Sequence, residues 1–86
     1  MKVKVDITKH IDGDGITLDV EDGYKIITET DGESATIIAN REGLITLAKL
    51  MLHMAQPSVK QGNHFDLDTW NVLDEGSVEL TVMRRD

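Results

Sequence analysis

The chain has 86 residues, 40% of them hydrophobic and 29% charged, with a formal net charge of −7 and no cysteine. That length suits one domain over residues 1–86 and leaves no mass for a deep substrate cavity, while the composition excludes a disordered chain. Without thiols there is no disulfide, zinc–thiolate site or cysteine nucleophile, and the acidic balance argues against nucleic-acid and anionic-membrane partners, which recruit Lys and Arg.

In chain order, the first block reads as β structure. Met1–Asp6 carries a charge at every second position and no apolar core of a signal peptide, so the expected location is the cytoplasm. Val3, Val5 and Ile7 alternate with polar residues, and so do Ile16, Leu18 and Val20. Period-2 alternation predicts strands with one buried face. Between them, Asp12-Gly13-Asp14-Gly15 resembles the start of a calcium loop, but the bidentate Glu such a loop needs at its twelfth position would fall on Gly23, so a turn is expected. Asp22-Gly23 and Asp31-Gly32 then bracket Tyr24–Thr30, and Glu33–Ala39 follows. Asp-Gly pairs supply the positive φ that two-residue hairpin turns require. The prediction for this block is a meander of up to four antiparallel strands.

A helix comes next. Asn40 is a plausible N-cap, Glu42 lies in the first turn, and Pro57 closes the segment. Leu44, Leu47, Ala48, Met51, Met54 and Ala55 fall at helical spacing and predict the buried stripe. Thr46, Lys49, His53 and Gln56 lie off it, which makes His53 a surface residue. The last block alternates over His64–Asp68 and again over Val78–Met83, with a loop between them that carries Trp70 and Glu75-Gly76. The expected fold is α+β: an antiparallel sheet of about five to six strands with one amphipathic helix packed on one face.

Candidate chemistry is sparse. His64, Asp66 and Asp68 share one strand face and are the residue types that hold a divalent ion. Side chains spaced about 6.6 Å apart along a strand diverge, so a solvated or partner-facing surface is the simpler reading. No phosphate-binding glycine loop and no nucleophile elbow occurs. Trp70 caps the core or anchors a partner. Asp66, Asp68, Asp74 and Glu75 surround it in sequence, and no Lys or Arg occurs from Gln61 to Met83. The expected partner-binding set is therefore Trp70, His64, Asp66, Asp68, Asp74 and Glu75, an aromatic anchor ringed by acid that suits a basic protein.

Two stretches carry a resemblance. Ile37-Ile38-Ala39-Asn40-Arg41-Glu42-Gly43-Leu44 opens the helix, and Gly62-Asn63-His64-Phe65-Asp66-Leu67-Asp68 is followed by Glu75-Gly76-Ser77-Val78-Glu79-Leu80. Together they resemble immunity-protein family thirty-two of bacterial polymorphic toxin systems, over roughly the C-terminal half. The resemblance implies a protein that binds a cognate toxin stoichiometrically, without catalysis or cofactor, by occluding its working surface. Positions matching His64, Asp68 and Glu79 are either structural or toxin-facing. A basic toxin, such as a nuclease with a phosphate-binding groove, would suit the acidic cluster. The competing readings are a generic binding module or homodimer pairing through an exposed edge such as the terminal strand, and a small metal-dependent enzyme using His64, Asp66 and Asp68.

Overall fold

The computed structural model describes residues 1–86. Its elements are β1 (Ile26–Thr30), β2 (Ala35–Ala39), α1 (Arg41–Met54), β3 (His64–Leu67) and β4 (Leu80–Met83). The architecture is α+β, with two two-stranded antiparallel sheets, β1–β2 and β3–β4. Four strands in two hairpins replace the expected single sheet of five to six. The chain leading into β4 joins the hairpins, because the Asp74 and Val78 amides donate to the Ile26 and Thr28 carbonyls of β1 at 2.8 and 3.1 Å.

The missing strands are the N-terminal ones. Residues 1–21 form no ladder, although Val5, Ile7, Ile16 and Leu18 are half-buried as their alternation predicts. Their backbone groups bond side chains on α1 and just beyond it. The Thr17 amide donates to His53 Nε2 at 3.1 Å and the Glu21 amide to Thr46 Oγ1 at 2.9 Å. The His10 amide donates to Gln56 Oε1 at 3.0 Å. Alternation reports that one face is packed; it does not report whether the backbone pairs with a strand or a helix.

Between β1 and β2 the connection is four residues, Asp31–Ser34, rather than a two-residue turn. Asp31 Oδ1 accepts the Glu33 and Ser34 amides at 2.9 and 2.7 Å, and Gly32 takes φ +93. Asn40 caps α1 as expected, with Oδ1 accepting from the Gly43 amide at 2.8 Å. The same oxygen accepts from the Lys25 amide at 2.9 Å and Nδ2 donates to the Gly23 carbonyl at 2.9 Å, so the cap also ties the helix entry to the chain before β1. At the other end, Arg84 Nη1 donates to the Met54 carbonyl at 2.7 Å, a cation placed where the helix dipole favours it.

The core-facing side of α1 differs from the predicted stripe. Gly43, Thr46, Leu47, Leu50, His53 and Met54 are buried, whereas Leu44, Ala48, Met51 and Ala55 are exposed. The helix is apolar nearly all round, so periodicity alone permits two stripes. Polar contacts choose between them. Thr46 and His53 hold the N-terminal segment, and Gly43 admits the backbone of β1. The central cluster joins Ile26, Leu47, Leu50 and Met54 to Leu67, Val72 and Leu73.

Candidate functional site

The expected binding residues lie on β3 and the loop that follows it. On β3, His64 pairs with Met83 and Asp66 with Thr81. Asp66 Oδ1 accepts the Thr81 hydroxyl at 2.7 Å, and its other oxygen stands 3.9 Å from His64 Nε2. Both side chains are about half exposed, so this contact contributes little to stability.

Asp68 and Asn71 shape the loop. Asp68 Oδ1 accepts the Trp70 and Asn71 amides at 2.9 and 3.1 Å. Asn71 Oδ1 accepts the Asp68 amide at 2.9 Å, and its Nδ2 donates to the Asp66 carbonyl at 2.7 Å. Reciprocal side-chain-to-backbone bonds of this kind hold a turn without secondary structure. Val72 and Leu73 then enter the core. The result is a tip gripped on both sides, on which Trp70 is 94% exposed. That exposure decides against the core-capping role for the indole. Asp74 and Glu75 are exposed just beyond, before the turn at Gly76 with φ +88. Asp68 is thus committed to the loop backbone, while Asp66, Asp74 and Glu75 present carboxylates near an aromatic tip.

His64, Asp66 and Asp68 do not converge as a metal site, and no group of three or more His, Asp or Glu side chains forms one elsewhere. The two carboxyls held below the usual carboxylate range lie outside the loop. Asp31 is lowered chiefly by the Ser34 amide, then by the Glu33 amide and the Ser34 hydroxyl. Asp86 is lowered by its bond to Arg84 and that residue's charge. No helix is long and apolar enough to cross a membrane.

A second polar cluster escaped the sequence reading. His53, expected on the surface, is 2% exposed, and His10 is buried beside it in an edge-on arrangement with ring centroids 5.7 Å apart. Since His53 Nε2 accepts the Thr17 amide, the ring proton sits on Nδ1 and is donated to the Thr8 carbonyl at 2.7 Å. His10 contacts Ser58 Oγ at 2.8 Å and the Asp14 carbonyl at 3.0 Å. Every one of these partners belongs to the fold, so the cluster is a structural clasp. A histidine at the polar margin of a helical stripe, followed three residues later by Gln56, was the available signal.

A helix resting on two bridged hairpins, with an aromatic loop tip as its most prominent exposed feature, defines a small α+β domain whose chemistry lies on its surface. The chain belongs to the immunity protein 32 family, whose model matches residues 34–85. The matched span runs from just before β2 through β4 and contains both stretches that carried the resemblance. No curated protein and no solved structure matches the chain.

Proposed function

We propose that the protein is a bacterial immunity protein that acts in the cytoplasm, binding a cognate toxin stoichiometrically and blocking its working surface without catalysis or cofactor. Family membership supports the class of function. The observation that carries the choice of surface is Trp70, 94% exposed on a tip held by the Asp68–Asn71 bonds. The loop backbone under the indole is already held, and an indole has only two side-chain torsions to lose on docking, which favours tryptophan among interface anchors. Asp66, Asp74 and Glu75, with His64 at the margin, would steer a basic surface onto that anchor. A nuclease groove, which is basic because it binds phosphates, is the toxin surface that fits.

The test is co-expression with the toxin encoded beside this chain. Survival of the host and a one-to-one complex on size exclusion are expected. Toxicity that the chain does not relieve would sink the proposal. If rescue occurs but Trp70→Ala and Asp74→Lys/Glu75→Lys leave affinity unchanged, the toxin docks elsewhere.

A further inference from the structure

The two edges of the first hairpin are treated differently. On β1, the Ile26 and Thr28 carbonyls turn away from β2 and accept the Asp74 and Val78 amides, so that edge is covered. On β2 the phase of the ladder follows from its two ends. The Asn40 amide donates to the Lys25 carbonyl at 3.1 Å, and the Asp31 amide to the Ser34 carbonyl at 3.3 Å. Antiparallel residues bond in alternation, so Thr36 and Ile38 face β1 and the backbone of Ala35, Ile37 and Ala39 faces outward. No backbone or side-chain group of the chain bonds those outward amides and carbonyls.

This edge lacks the usual protection. From Ser34 to Asn40 there is no charged residue and no proline, and the register runs without a bulge. Ile37 and Ile38, on opposite faces of the strand, are 42% and 51% exposed. A row of free amides and carbonyls at strand spacing accepts an extended chain. The charges at the two ends of β2 say which one. Glu33 lies four positions before Ile37 and Arg41 four positions after it. Both are exposed, and neither forms an ion pair within the chain.

We propose that two copies of this chain pair through β2, edge to edge and antiparallel, about a twofold axis between their Ile37 residues. Residues equidistant from Ile37 then face each other. Ile37 exchanges both backbone bonds with Ile37 of the partner subunit, and Ala35 does so with Ala39 of the partner subunit. Ile38 lies across from Thr36 of the partner subunit, on the face opposite the core. Glu33 comes against Arg41 of the partner subunit, and the symmetry makes that contact twice. Arg41 is the first residue of α1, so the carboxylate also meets the helix end whose dipole favours an anion. The two hairpins become one continuous sheet. Asp74 and Glu75 stay clear of the contact, because their segment lies on the far side of β1.

Light scattering across a dilution series should report a dimer. Amide exchange at Ala35, Ile37 and Ala39 should slow as concentration rises, while Thr36 and Ile38, bonded within each chain, change little. Ile37→Pro removes an amide that β1 does not use, so it should abolish the dimer and leave the helical circular dichroism unchanged. Glu33→Arg and Arg41→Glu, at exposed positions, should each weaken the dimer about tenfold by opposing like charges. The double variant Glu33→Arg/Arg41→Glu should recover the parent's affinity, since the pairs are restored with their signs reversed. A monomer at every concentration, exchange at Ile37 indifferent to concentration, or a double variant as weak as the single ones overturns the proposal.

Discussion

Gly43 shows how a single position can oppose its own propensity. Alanine is favoured over glycine by about 1 kcal/mol in a helix interior, so Gly43→Ala would stabilise an isolated α1. In the folded chain an added Cβ would collide with the Lys25 carbonyl oxygen and meet Ile26 Cγ1 at 2.9 Å. The first contact is with backbone that Asn40 already holds through the Lys25 amide, so β1 cannot yield without straining the cap. Gly43→Ala is expected to destabilise the protein by about 1–3 kcal/mol, as overpacking does; chemical denaturation measures it, and a gain in stability would refute the close approach. Asn40 and Trp70 are the contrasting positions. Asn40 was legible as a cap from residue type and place alone, but its bonds to Lys25 and Gly23 were not, because they depend on where β1 runs. Trp70→Ala should leave the unfolding free energy within about 0.5 kcal/mol of the parent, since nothing in the core rests on the indole, while weakening the toxin complex by on the order of 2 kcal/mol.

At the scale of elements, the hairpin, the helix and the two later strands were legible because each carries local chemistry: a turn at Asp31-Gly32, a cap at Asn40, a stop at Pro57. The N-terminal segment was misread because its alternation is real but its hydrogen-bond partners are distant side chains on α1 and just beyond it. His53 is the principal one, and its burial was hidden by a helix with two apolar arcs. His53→Leu would keep the volume and remove both ring nitrogens, leaving the Thr17 amide and weakening the hold on the Thr8 carbonyl. A loss of about 1–2 kcal/mol is expected, since only the part-buried Thr17 amide loses its partner while Gln56 still donates to the Thr8 carbonyl, with amide exchange at Thr17 accelerating more than exchange within β1. Uniform acceleration would mean that the clasp is not a local device. The β1–β2 hairpin makes a second prediction at this scale. The carboxyl of Asp31 is held below its ordinary value by the Ser34 and Glu33 amides. A depressed folded pKa contributes stability above the unfolded value, near 3.9, that is lost as pH falls through the lower folded value. Acid should therefore loosen the Asp31–Ser34 turn before the Asn40 cap, which has no titrating group. Amide chemical shifts of Glu33 and Ser34 followed below pH 4 would report it, and Asp31→Asn should flatten the response.

Across the whole molecule, acidic and apolar stretches are segregated along the chain, and that segregation lets salt test how the toxin is held. The acidic loop and its tryptophan fall in a stretch without Lys or Arg, while the exposed arc of α1 falls in one without Asp or Glu. An association steered by carboxylates is screened as ionic strength rises, because the Debye length falls from about 10 Å at 0.1 M to about 3 Å at 1 M. An association driven by apolar burial keeps its strength or gains. Toxin affinity is thus expected to fall on the order of tenfold over that range, chiefly through the association rate. Sedimentation of the complex across one salt series measures it. A toxin affinity indifferent to salt would remove charge steering and leave Trp70 as an apolar anchor.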